Sequence, residues 1–272
     1  TEVKSTCSNV LLLLPVTFDP IKLTRSKMDL LSAVVKFNNQ TNGRDKLCRL
    51  FQYGTKCGWW SIEKLRDDPS LIKKLKDLEY HLGTFRKLLR FGKSLDILQG
   101  ALKTLHLDDI ALRATITLAK INQSLYLLLD HVIWLARVGL IDIDKKYWGK
   151  TSAKFWMTQI ILNLTRNLYD ICSAVSNELY KRNKSKRSRG DKNGDIEASI
   201  NPAPKQTPLL LKVIGDNKPV FLDSAKNFAD VWLPMSVLGH VNISPGTQGM
   251  LGVISSCIAI LVTWNPTLKL VP

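Results

Sequence analysis

Between Ser70 and Lys93 the chain arranges seven basic and two acidic side chains around a regular row of leucines. With Leu71 at the origin of a helical wheel, Leu75, Leu78, Leu82, Phe85 and Leu89 fall within about 40° of it at about 100° per residue. Lys73, Lys76, Asp77, Tyr80, Lys87 and Arg90 take the opposite face, Lys74 and Arg86 flank the stripe, and Lys93 follows. This pattern suits a helix lying in a bilayer interface. The apolar row enters the acyl boundary and the long cationic side chains reach lipid phosphates. The expected inserting face is therefore Leu71, Leu75, Leu78, Leu82, Phe85 and Leu89. The expected phosphate contacts are Lys73, Lys74, Lys76, Arg86, Lys87, Arg90 and Lys93. Each well-buried Leu or Phe contributes about 1.5–3 kcal/mol, and each basic residue beside an anionic surface about 1 kcal/mol. The competing expectation is that the same stripe packs on a protein core, as most amphipathic helices do.

A second row, Leu88, Phe91, Leu95, Leu98, Leu102 and Leu105, is centred almost opposite the first. A single straight helix would carry apolar surface on two sides. A break at Gly92 removes the conflict, because glycine adopts backbone angles that other residues resist.

What could hold such a wedge on a membrane lies at the other end of the chain. No Lys, Arg, Asp or Glu occurs between Asp230 and Lys269, and Gly246 to Trp264 is almost wholly apolar. As a helix this run is roughly 28 Å long, near the hydrocarbon thickness of a bilayer. A membrane span is expected there, with a buried core helix as the alternative. Gly246, Gly249, Gly252 and Ser255 recur at every third position and suggest close helix–helix approach, hence self-association of the span. Trp264 falls where an interfacial aromatic belt would lie.

Two further apolar stretches carry charges: Asp130 and Arg137 within 121–140, and Lys154, Arg166 and Asp170 within 153–175. Unpaired intramembrane charges are costly, so these read as bundle or interface helices rather than lone spans.

Composition narrows the function. The 272 residues include 39 Lys and Arg against 23 Asp and Glu, a net charge of +16 that calls for an anionic partner. Five cysteines without close pairing fit neither a zinc site nor a secreted disulfide framework and suit a reducing, cytosol-facing setting. No phosphate-binding glycine loop, zinc-protease histidine pair or nucleophile elbow is present, and His81, His106, His131 and His240 are scattered. The chain reads as a non-enzyme with no cofactor and no bound metal. A nucleic-acid partner through the basic cluster 181–189 ranks last, since no recognisable nucleic-acid-binding fold accompanies it.

The expected architecture is all-α, with an N-terminal helical region that includes the cationic amphipathic helix and a C-terminal transmembrane helix. Residues 1–27 read as an upstream, non-native leader before a start at Met28. Residues 28–182 form the membrane-associated helical region, 183–208 a basic, disordered linker, and 209–272 the C-terminal helices with the span near 246–264. Within this scheme Asp68 caps the amphipathic helix with Pro69 at its first position, Gly139 ends a helix begun near Asp108, and Thr151 or Ser152 caps the next. No internal repeat is apparent.

Several ordered motifs resemble the peroxin-11 family of peroxisomal membrane proteins, in its animal branch. These are KFNNQTNGRDKLCRLFQY at 36–53, RKLLRFGKSLDIL at 86–98, ILNLTRNLYDI at 161–171 and the tail 246–272. The resemblance implies an integral peroxisomal membrane protein whose N-terminal region and C-terminus face the cytosol. It implies membrane elongation before fission, driven by insertion of the helix around 71–90 and by homo-oligomers. It also implies contact with a dynamin-related fission GTPase through tail-anchored adaptors. The alternative function is a peroxisomal metabolite pore lined by the charged middle helices.

Overall fold

The structure, a computed structural model, describes residues 31–65, 68–190 and 208–270. The expected leader lies outside these residues, as does most of the expected linker. Two compact units are present, one ending at Gln40 and the other running from Thr41 onwards. The first contains helix α1 at residues 31–39.

The second unit is built from α2 (Thr41–Leu65), α3 (Pro69–Leu89), α4 (Lys93–Lys103), α5 (Ile110–Val138), α6 (Lys145–Gly190), α7 (Leu209–Asp216), α8 (Lys218–Leu238) and α9 (Pro245–Trp264). Single 3-10 turns follow α4 and α9, and no strand occurs among the described residues. The protein is all-α.

Local chemistry explains most of the boundaries. Asp68 Oδ1 accepts from the amides of Ser70 and Leu71, both at 3.1 Å, and Pro69 starts α3. Gly92, at φ +77°, breaks the chain between α3 and α4, as the two opposed leucine rows require. Asp109 caps α5 in the same way as Asp68 caps α3.

The start of α6 differs from expectation. Asp144, not Thr151 or Ser152, is its cap: Asp144 Oδ1 accepts from the amides of Lys146 and Tyr147 at 2.9 and 3.2 Å. Thr151 already sits inside the helix, where its hydroxyl donates to the Tyr147 carbonyl. The C-terminal end also differs, because α6 runs on through the basic cluster to Gly190. Cations in the last turns of a helix face its negative dipole end, and Glu178 pairs with Arg182 one turn on and with Lys212 of α7.

Two connectors share one plan. Gly139 and Gly239 both end a helix in the left-handed region, at φ +87° and +84°, and Asp144 and Ser244 both open the next helix. The α5–α6 and α8–α9 hairpins thus repeat a local design that their sequences share only as a glycine, an Ile143 or Ile243, and a capping oxygen.

The helices of this unit pack in a closed circuit. α2 lies between α3 and α9, α9 meets α8, α8 meets α6, α6 meets α5, and α5 returns to α3 and α4. Charged and polar side chains share the interior with an apolar core that includes Ile116, Leu127 and Ile160. Asp45, Arg49, Arg86, Asp130, Asn167 and Asp230 are buried, while Phe91, Leu95, Leu102, Leu168, Phe228 and Met250 are exposed.

Candidate membrane face and charged cavity

Helix α3 decides the arrangement because it is amphipathic in the opposite sense to a water-soluble bundle helix. Its apolar row points outward: Leu71, Leu78 and Phe85 are 40%, 46% and 48% exposed, and Leu75, Leu82 and Leu89 are half-buried. The row is not sealed inside the bundle. The second row also lies on the outside, with Leu88 and Phe91 before the Gly92 break and Leu95, Leu98, Leu102 and Leu105 after it all exposed. Helix α4 is tied to α5 on its other side. Ser124 Oγ donates to the Ser94 carbonyl at 2.9 Å, and the Thr104 and Thr117 hydroxyls meet at 2.9 Å.

The basic residues of α3 fall into two groups. Lys73, Lys74 and Lys76 are exposed in its first half. Of these, Lys76 pairs with Glu63 at 3.1 Å and sits 4.3 Å from the centre of the Trp59 ring. Arg86, Lys87 and Arg90, with Lys93 at the start of α4, turn inward and line a cavity of about 420 Å³.

That cavity is densely charged. From α2 it receives Asp45, Lys46 and Arg49, from α5 Tyr126 and Arg137, and from α8 Asp223, Lys226 and Asp230. Asp45 joins α2 to α3, since Arg86 Nε donates to its Oδ1 at 3.1 Å, Arg90 Nε lies 3.8 Å away and Lys46 is 3.2 Å from Oδ2. Asp130 joins α3 to α5 by pairing with Lys87 and, at 2.9 Å, with Arg90. Arg49 of α2 pairs with Asp230 of α8, and Asp223 receives Lys226 together with Asn167 of α6 at 3.0 Å. Arg90 also donates to the Tyr126 hydroxyl at 2.9 Å.

Lys93 and Arg137 donate instead to neutral oxygens, Asn42 Oδ1 and Thr84 Oγ1. Eight cationic side chains therefore line a space served by four carboxylates, Asp45, Asp130, Asp223 and Asp230. Burial alone would raise the pKa of Asp45, but Lys46, Arg86 and Arg90 outweigh it and hold the carboxyl well below the usual range. Burial pulls Lys46 down to about 7, against the attraction of Asp45 and with the help of Arg49, Lys93 and Arg86.

The glycine row of α9 has a definite partner in the structure. Gly246, Gly249, Gly252 and Ser255 are buried, and the three glycines lie against Trp60, Cys57 and Tyr53 of α2. A Cβ on Gly249 would stand 2.7 Å from the Cys57 amide nitrogen, a backbone atom that cannot step aside. The surface expected to join two copies is here covered by the chain's own second helix. Helix α9 is long and apolar enough to cross a membrane.

The family description Peroxisomal biogenesis factor 11 (PEX11) matches residues 31–264. The chain belongs to this family. It is 32% identical over 260 residues to human peroxisomal membrane protein 11B, covering 89% of this chain and all of the relative. It is 30% identical over 248 residues to bovine peroxisomal membrane protein 11A, covering 88% of this chain and 99% of the relative. The Dictyostelium discoideum homologue of peroxisomal membrane protein 11 is 26% identical over 243 residues, covering 86% of this chain and 94% of the relative. No solved structure matches the chain. The PEX11 family is one of peroxisome biogenesis and proliferation.

In this PEX11 chain the amphipathic helix, the apolar C-terminal helix and the break at Gly92 were legible as patterns, but the cavity was not. Asp45, Arg49, Tyr126, Asp223 and Asp230 went unremarked because each is an ordinary residue in its own helix. One signal was available. Asp130 and Arg137 interrupt an otherwise apolar run, and an ionisable residue in such a run usually faces a protein interior or a partner.

Proposed function

We propose that this protein elongates the peroxisomal membrane ahead of fission by inserting the leucine face of α3 into the cytosolic leaflet. The observation that carries this reading is the outward position of Leu71, Leu78 and Phe85 on a helix whose charged side is already engaged within the protein. An apolar row left about half uncovered gains by entering the acyl boundary, a fraction of the roughly 1.5–3 kcal/mol that full burial of each side chain is worth. Lys73, Lys74 and Lys76, exposed in the first half of α3, contact lipid phosphates, while α9 anchors the chain as an integral membrane protein with its N-terminal region in the cytosol. Material wedged into one leaflet expands it and favours curvature. Homo-oligomers concentrate the effect, and tail-anchored adaptors pass the elongated membrane to a dynamin-related fission GTPase.

The test is reconstitution of the full chain into vesicles containing anionic lipid, with tubules scored by electron microscopy. Wild-type protein forms tubules, and Leu78→Lys with Phe85→Lys abolishes them without loss of helix content. Tubulation unchanged by these substitutions overturns the reading.

The metabolite pore is a second reading, favoured by one observation: charged residues line a space inside a circuit of helices with apolar outer surfaces. Planar-bilayer conductance of the purified protein separates the two, and a silent protein removes the pore.

A further inference from the structure

The exterior of the bundle suits lipid, but lipid cannot answer the charge inside it. Asp45, Asp223 and Asp230 line the cavity with eight cationic side chains and Asp130 pairs with two of these, so even with Lys46 neutral the cations outnumber the carboxylates by seven to four. Unneutralised buried charge is expensive, and each carboxylate is already engaged: Asp45 serves three cations and Asp130 two.

We propose that this cavity is a binding site for a phosphoryl group, that is, a phosphate ester or diphosphate. Three features select this chemistry. Arg49, Arg86, Arg90 and Arg137 enter from three helices, so their planar forks approach from different directions, as a tetrahedral group with several charged oxygens requires. Lys93 and Arg137 donate only to neutral side-chain oxygens, which an anion can replace or supplement. The volume of about 420 Å³ holds more than an inorganic ion, and Ile258 and Val262 of α9 give it one apolar wall, so an organic remainder fits beside the phosphate. Such a ligand would also join α2, α3, α5 and α8 through shared ion pairs, so occupancy would stiffen the frame that carries the leucine rows.

The phosphoryl group can come from a soluble ester or from a phospholipid headgroup, and one experiment separates these. The full chain, purified in mild detergent, is titrated calorimetrically with inorganic pyrophosphate, and its native mass spectrum is recorded before and after. Saturable binding at one site per chain is expected. If a co-purified phospholipid leaves as pyrophosphate binds, the headgroup is the source. If no lipid is present and pyrophosphate still binds, the source is a soluble ester.

Lys93→Gln and Arg137→Gln, neither of which removes a carboxylate's partner, should each weaken binding by about tenfold. Exposed Lys154→Gln should leave it unchanged. Thermal unfolding in the same detergent shows that the variants fold, and pyrophosphate should raise the wild-type midpoint far more than theirs. The proposal is overturned if neither pyrophosphate nor a phospholipid is held. It is equally overturned if equimolar chloride competes as well as pyrophosphate, or if folded Lys93→Gln and Arg137→Gln bind like wild type. No membrane enters this measurement, so its outcome is independent of the tubulation test.

Discussion

Helices α3 and α9 are both laid against lipid in this reading, yet they are built on opposite plans. Helix α9 carries no charge anywhere and turns its smallest residues inward, where three glycines let α2 approach to backbone contact. Helix α3 is strongly charged and turns Arg86, Lys87 and Arg90 inward, leaving Leu71, Leu78 and Phe85 outside. On that reading, two kinds of interior hold a lipid-facing helix. One works by close packing, where any added atom collides. The other works by ion pairing, where any removed charge leaves a partner stranded.

The sharpest way to break the ion-paired interior is Asp45→Asn. It takes the carboxylate partner from Lys46 and Arg86 and the more distant of two from Arg90, and should cost about 3–5 kcal/mol in thermal or denaturant unfolding of the detergent-solubilised protein. Acid probes the same contact. Because Asp45 titrates lower in the folded state than in the unfolded chain, its contribution is full above about pH 4 and is lost as the pH falls further. Unfolding midpoints should therefore drop below that pH in the wild type and much less in Asp45→Asn.

The close-packed interior is tested by Gly249→Leu, which places a side chain against the Cys57 backbone. It should cost about 3 kcal/mol or open the α2–α9 contact, read as new protease sensitivity. The outer faces should respond differently from both interiors. Leu78→Lys with Phe85→Lys should leave unfolding stability within about 0.5 kcal/mol, because neither side chain is buried. A local effect is expected from Asp68→Ala, which removes the cap of α3 at a cost of about 1 kcal/mol and should appear as fraying of its first turn in hydrogen exchange.

Much of the helical scaffold could be read from single residues. Asp68 with Pro69, the glycine at 92 between two opposed leucine rows, and Gly139 after a long apolar run each imply a boundary by local chemistry alone. Thr151 misled because a hydroxyl can cap a helix or donate back to a carbonyl within one, and the choice fell to Asp144, whose carboxylate is the stronger acceptor for free amides. The site was only half legible. Lys73, Lys74 and Lys76 look the same on a wheel as Arg86, Lys87 and Arg90, since a wheel shows which residues share a face and not what lies opposite. The partners that separate the two groups, Asp45 and Asp130, are more than 40 residues away along the chain.

By itself the sequence determined the periodicities: where apolar and charged side chains share a face, where a helix must stop, and which segment is apolar enough to cross a bilayer. These follow from geometry and capping within a few turns. Only the tertiary structure decided which face of each helix is the inside. That choice depends on long-range ion pairs and on glycine contacts between helices far apart in the chain, and no local pattern records either.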